Sequence, residues 1–130
     1  MRILAGEFTI AKWEEKSFLE VSDPAKANEA DIVYNVSGDL KGQLSGKYLL
    51  IYQNEQTASY CGALQFTGTI GALEGAFFLQ ETGTFANDIA RTAWTIIKGS
   101  GQGDFAKIVG AGSYAATDGT VNFSLEVEGI

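Results

Sequence analysis

The stretch Leu64-Gln65-Phe66-Thr67-Gly68-Thr69-Ile70-Gly71-Ala72-Leu73-Glu74-Gly75-Ala76-Phe77-Phe78-Leu79 decides the fold. On both sides of Gly71-Ala72, apolar residues recur at every second position, the period of a strand with one buried face. A two-residue turn at Gly71-Ala72 sets Phe66 opposite Phe77 and Leu64 opposite Leu79. Apolar then meets apolar across the pair, as a buried face requires. Further along, a turn at Asn87-Asp88 places Glu81 opposite Trp94 and Leu79 opposite Ile96. Asp118-Gly119 is the strongest hairpin signal in the chain. It places Tyr114 opposite Phe123 and Ala116 opposite Val121.

The rest of the chain reads in the same way. Strands are expected near Ile3–Trp13, Asn28–Ser37, Gln43–Gln53, Thr57–Ile70, Leu73–Phe85, Ala90–Lys98, Gly110–Ala116 and Val121–Glu128. A short extended piece, Ser17–Val21, precedes a turn at Asp23-Pro24, and Gly38-Asp39-Leu40-Lys41-Gly42 reads as another turn. Asp104–Ile108 is expected to make one helical turn with Asp104 as its N-cap. Sixteen Gly and one Pro are spread through 130 residues, with no linker among them. The chain is therefore read as one all-β domain, residues 1–130. About eight long strands in a flat sheet would leave two exposed edges, and closing the sheet into an antiparallel barrel removes both. A two-sheet β-sandwich is the alternative.

Composition removes several functions. The chain contains no His. That excludes a Ser-His-Asp triad, a Cys-His pair and a His-ligated metal site. A net charge of −7 argues against nucleic acid or an anionic membrane as partner. The single Cys, Cys61, forms no internal disulfide, which suits a reducing compartment, and the expected residence is cytoplasmic. Gly99-Ser100-Gly101-Gln102-Gly103 is not a phosphate loop, because no Gly-Lys-Ser/Thr follows and no βαβ unit surrounds it. Neither a cofactor nor a metal is expected.

The registers agree on an inward face that includes Tyr60, Leu64, Phe66, Phe77, Leu79, Trp94 and Ile96, joined by Tyr48, Leu50 and Tyr52. Gly62 and Gly83 lie on that face and leave room for neighbouring rings or for a ligand. Glu81 points inward between Gly62 and Trp94. A carboxylate there is costly unless it is paired or hydrogen-bonded, and desolvation raises its pKa. Glu81 is thus the candidate catalytic group. Tyr48, Tyr52, Tyr60, Glu81, Trp94 and Tyr114 are the candidate ligand-binding residues, set against their simpler reading as core.

The order and spacing of several motifs resemble a small bacterial family of unknown function whose members adopt an allene oxide cyclase-like barrel. The motifs are Gly38-Asp39-Leu40-Lys41-Gly42, Ser59-Tyr60, Leu79-Gln80-Glu81-Thr82-Gly83-Thr84-Phe85, Trp94, Gly99-Ser100-Gly101 and Gly110-Ala111-Gly112. The segment from Gly103 to Tyr114 is also similar to plant dirigent proteins. The resemblance implies the fold and an oligomer; it supplies no catalytic residue.

Three functions follow as expectations. The first is a barrel that binds a small, mostly apolar molecule. The second is an isomerase or cyclase that uses Glu81 and a Tyr for proton transfer. The third is a structural homo-oligomer with no small-molecule site. Self-association is expected from an outward face that is not polar enough: Leu49, Ile51, Cys61, Ala63, Ala76, Phe78, Ala93 and Ile97, read as one contiguous patch.

Overall fold

A computed structural model describes all of residues 1–130. Its strands are β1 (Arg2–Leu19), β2 (Lys26–Gly38), β3 (Leu40–Tyr52), β4 (Ala58–Ile70), β5 (Leu73–Ala86), β6 (Ile89–Ile96), β7 (Gln102–Gly103), β8 (Val109–Ala116) and β9 (Val121–Glu128). β1 to β6 pair in succession, β6 continues to β8 and then β9, and β9 returns to β1; every pairing is antiparallel. This is a closed up-and-down barrel of eight strands. The two-residue β7 pairs with Gly75 and Ala76 of β5, in the part of the wall that β6 does not reach. There is one sheet, so the sandwich alternative falls.

Alternation produces this wall. In β9, Val121, Phe123, Leu125 and Val127 are buried, while Asn122, Ser124, Glu126 and Glu128 are exposed. The turns fit their residues: Asn87 and Asp88 have φ of 53° and 62°, which Asn and Asp tolerate better than most side chains. The pairs Phe66–Phe77, Leu64–Leu79, Glu81–Trp94, Leu79–Ile96 and Tyr114–Phe123 are all observed. The β8–β9 ladder ends at Tyr114–Phe123, so Ala116 and Val121 do not pair with each other as expected; they pair with Ala90 and Phe8 instead.

Three local expectations are corrected. Ile3–Trp13 and Ser17–Val21 are not separate pieces: β1 runs through the first and into the second as far as Leu19, and absorbs the change of phase at two bulges, after Ile10 and after Ser17. Gly38–Gly42 is not a five-residue turn. Only Asp39 separates β2 from β3, and its carboxylate accepts the Ala5 N–H at 2.8 Å. Asp104–Ile108 forms turns but no helix, and Asp104 accepts the Glu74 N–H at 2.9 Å instead of capping its own segment.

Strand tilt positions the site. One row of paired residues runs from Glu15 through Ala30, Tyr48, Gly62, Glu81, Trp94, Gly112 and Leu125, and returns to β1 at Leu4, eleven positions from Glu15. Such stagger is what closing a tilted sheet requires. It lets one row begin at the rim and reach the middle of the barrel. Along it, large residues face glycines. A Cβ on Gly62 would sit 2.7 Å from Tyr48 Cδ1, and in the next row a Cβ on Gly83 would sit 2.6 Å from Tyr60 Oη. The Tyr48 and Tyr60 rings and, at Gly62, the Lys47 backbone oxygen occupy the space these glycines leave.

Of the outward apolar set, Leu49, Ile51, Phe78 and Ile97 are exposed. A row holding Lys47, Ala63, Gln80 and Thr95 lies between the Leu49 row and the row of Gln65 and Phe78. Ala76, expected to face outward, is buried where β7 pairs with it.

Candidate functional site

The two ends of the barrel are built differently. At one end the connection between β6 and β8 folds inward as a plug. Phe105 and Ile108 are fully buried, and Phe105 meets Phe77 edge-on at 5.6 Å. The void left among the apolar residues above the plug is about 10 Å³, room for one water at most. At the other end lies a cavity of about 330 Å³ that opens to solvent. Of its 17 lining residues, 14 are hydrophobic. Their sources are the upper inward rows, the part of β1 beyond its pairing with β9, and the β8–β9 turn.

Tyr48, Tyr52, Tyr60 and Tyr114 line this cavity; Glu81 and Trp94 do not. The Tyr52 hydroxyl is drawn to the rim, where it donates to Glu15 at 2.7 Å. Glu15 also accepts from Trp13 Nε1 and Asn28 Nδ2. The Tyr60 ring lies across Gly83, and its hydroxyl meets Thr92 Oγ1 at 2.6 Å. Tyr114 packs edge-on against Trp94 and against Phe8. Burial pushes the Tyr34, Tyr48, Tyr60 and Tyr114 hydroxyls above their ordinary pKa, so all four stay protonated.

Glu81 lies beneath this aromatic layer and is completely buried. Its Oε1 accepts the Trp94 indole N–H at 2.6 Å and the Tyr48 hydroxyl at 3.0 Å. The Tyr48 hydroxyl in turn meets the Tyr34 hydroxyl at 2.9 Å. Oε2 has no hydrogen-bond partner. Desolvation raises the carboxyl pKa to about 7, against the two donors, which lower it. Tyr34, Tyr48 and Glu81 thus form a hydrogen-bonded chain whose outer members line the cavity and whose inner end is an ionisable group.

Sequence reasoning missed part of the site. Trp13 and Ile10 line the cavity from β1, and Tyr34 joins Tyr48 at its base. Tyr34 shares the buried face of β2 with Ala30, Ile32 and Val36. Its tie to Glu81 depends on stagger between strands far apart in the order, which pairwise registers do not reveal. No three His, Cys, Asp or Glu side chains come together as a metal site. Cys61 is exposed on the outer wall.

Fold and site together define a closed eight-stranded barrel, plugged at one end, with an apolar mouth above a buried carboxyl. Residues 4–127 match the model of a family described as protein of unknown function (DUF3224), and the chain belongs to that family. A solved structure of a DUF3224 protein of unknown function from Shewanella oneidensis MR-1 superposes with a TM-score of 0.86. It is 18% identical, and the match covers 98% of this chain and 96% of that one. At that identity the likeness establishes the barrel. No curated protein matches the chain. The allene oxide cyclase likeness stays a resemblance in motifs. No helix is long and apolar enough to cross a membrane.

Proposed function

We propose that this DUF3224 barrel binds a small, mostly apolar molecule in its mouth. The observation behind the reading is the contrast in filling: about 10 Å³ is left in the plugged half and about 330 Å³ in the open half. Ligand sites of small barrels have this form, a concave apolar cavity with a few placed polar groups. An apolar cavity of about 150 Å³ already admits benzene, so the mouth has room for a fused two-ring compound. Cytoplasmic residence goes with this reading, supported by the unpaired Cys61.

The test is native mass spectrometry of protein from its own host, followed by calorimetric titration with naphthalene. A bound small mass and saturable naphthalene binding are expected, and Ala116→Trp at the rim abolishes the latter. No bound mass together with no naphthalene binding defeats the reading.

Catalysis by Glu81 with a tyrosine has less behind it. The carboxyl does not line the cavity, so any proton it exchanged with a substrate would pass through Tyr48.

Self-association is a separate reading, and one observation favours it. Along Thr9–Leu19, β1 has no partner on its β9 side, and Ile10, Phe18 and Leu19 are exposed there. Open apolar edges of this kind pair with other strands unless blocked. Sedimentation decides it: a single species near 13.9 kDa at micromolar concentration counts against an oligomer.

A further inference from the structure

The chain from Tyr34 through Tyr48 to Glu81 has a property that neither tyrosine has alone. Each hydroxyl carries one hydrogen, so the direction of the chain is set at its carboxyl end. With Glu81 ionised, Oε1 accepts from both Trp94 and Tyr48. Tyr48 has then used its hydrogen and accepts from Tyr34. Tyr34 is left with lone pairs only.

With Glu81 neutral, the proton is best placed on Oε1. On Oε2 it would be a buried donor with no acceptor, whereas on Oε1 it reaches the Tyr48 oxygen. Tyr48 then donates to Tyr34, and the Tyr34 hydrogen becomes free. One proton taken up from water accounts for the whole change. Phe8 stacked on Tyr34 at 4.3 Å holds the ring in place through it.

We infer that the mouth selects an apolar molecule carrying one hydrogen-bond-accepting oxygen, such as an aryl ketone, and grips it through Tyr34 only while Glu81 is protonated. The inference rests on the mouth-binding reading and names the ligand class for that site.

The groups around the carboxyl suit this role. Tyr48 on β3 and Trp94 on β6 touch it, and Tyr34 on β2, Tyr60 on β4 and Tyr114 on β8 feel its charge. All five are neutral through the physiological range, and no cation competes for the carboxylate. Burial places its titration near neutrality, where cellular pH acts on it.

Calorimetry with three probes of one shape tests it: naphthalene, 2-acetylnaphthalene as acceptor and 2-naphthol as donor, each at pH 5.5 and pH 8.5. A single hydrogen bond contributes a factor of about ten or less. Between the two pH values, 2-acetylnaphthalene should therefore weaken about tenfold relative to naphthalene, while 2-naphthol moves the other way. Glu81→Gln should flatten both profiles. Tyr34→Phe should retain naphthalene and lose the ketone preference at low pH. If the ketone and naphthalene share one pH profile in the wild type, the relay is refuted and the cavity stands. If none of the three probes binds at either pH, the mouth-binding reading fails and takes this inference with it.

Discussion

The plugged half and the open half of the barrel are made of the same strands, yet they obey different rules. Below the Glu81 layer, each inward side chain meets another and almost no space remains. Above it, tyrosines, alanines and Trp13 stand among the larger apolar residues and leave a cavity. The difference comes from what covers each end. The β6–β8 connection turns Phe105 and Ile108 into the lower half, whereas the β8–β9 turn and the free part of β1 only fringe the upper one. One wall can thus be both a stable core and a site, provided that a loop fills one end and not the other.

Substitutions in the plugged half should give the largest effects. Leu64 is fully buried opposite Leu79. Leu64→Ala should destabilise the fold by about 2–5 kcal/mol, read by chemical denaturation. A loss below about 0.5 kcal/mol would place it with surface sites and break the comparison.

The boundary between the halves should show itself through pH. Burial raises the Glu81 pKa to about 7 in the folded chain, against an ordinary value of 4.5. The folded state therefore binds more protons between those values, and the contribution to stability is fully present below 4.5 and lost as pH rises through about 7. The loss amounts to at most about 3 kcal/mol. Denaturation of wild type and Glu81→Gln at pH 5 and pH 8 should show it in the wild type alone. A Glu81 carboxyl that titrates by NMR at or below the ordinary glutamate value refutes it.

A smaller effect is expected from Gly62→Ala. Its Cβ would sit 2.2 Å from the Lys47 backbone oxygen and 2.7 Å from Tyr48 Cδ1, so β3 must give way beside β4 and carry the Tyr48 hydroxyl from Glu81, at about 1–3 kcal/mol. Tyr48 and Glu81 should loosen together, seen as a raised Glu81 pKa. The smallest effect belongs to the rim. Tyr52→Phe removes one bond to Glu15, which keeps Asn28 and Trp13, so stability should change by about 1 kcal/mol or less. A larger loss would mean that the mouth also contributes to the core.

How much of this was legible follows from the range of each signal. Hairpin registers such as Phe66–Phe77 and Glu81–Trp94 depend on local turn chemistry and period-two alternation, and a sequence carries both. The inward position of Glu81 came from the same source. Phe105 and Ile108 were not legible as a plug, because a loop residue enters a core by tertiary placement, without periodicity to announce it. The tie between Tyr34 and Glu81 crosses the barrel, where stagger and ring size decide contact. The outward face was read correctly except at Ala76, which is covered where β7 pairs with it. Leu49 and Phe78 lie in different rows, with the row of Lys47, Ala63 and Gln80 between.

The pairing of β1 with β9 has a kinetic consequence. Every other wall ladder joins strands that follow one another along the chain or are separated only by the β6–β8 connection. Arg2–Val127 to Phe8–Val121 joins residues more than a hundred apart. Strand-by-strand growth can proceed through short loops, each with a small closure entropy, whereas this seam must wait for both ends of the sheet to meet. Weakening the seam should therefore slow the rate-limiting step of folding, while the successive hairpins keep their speed.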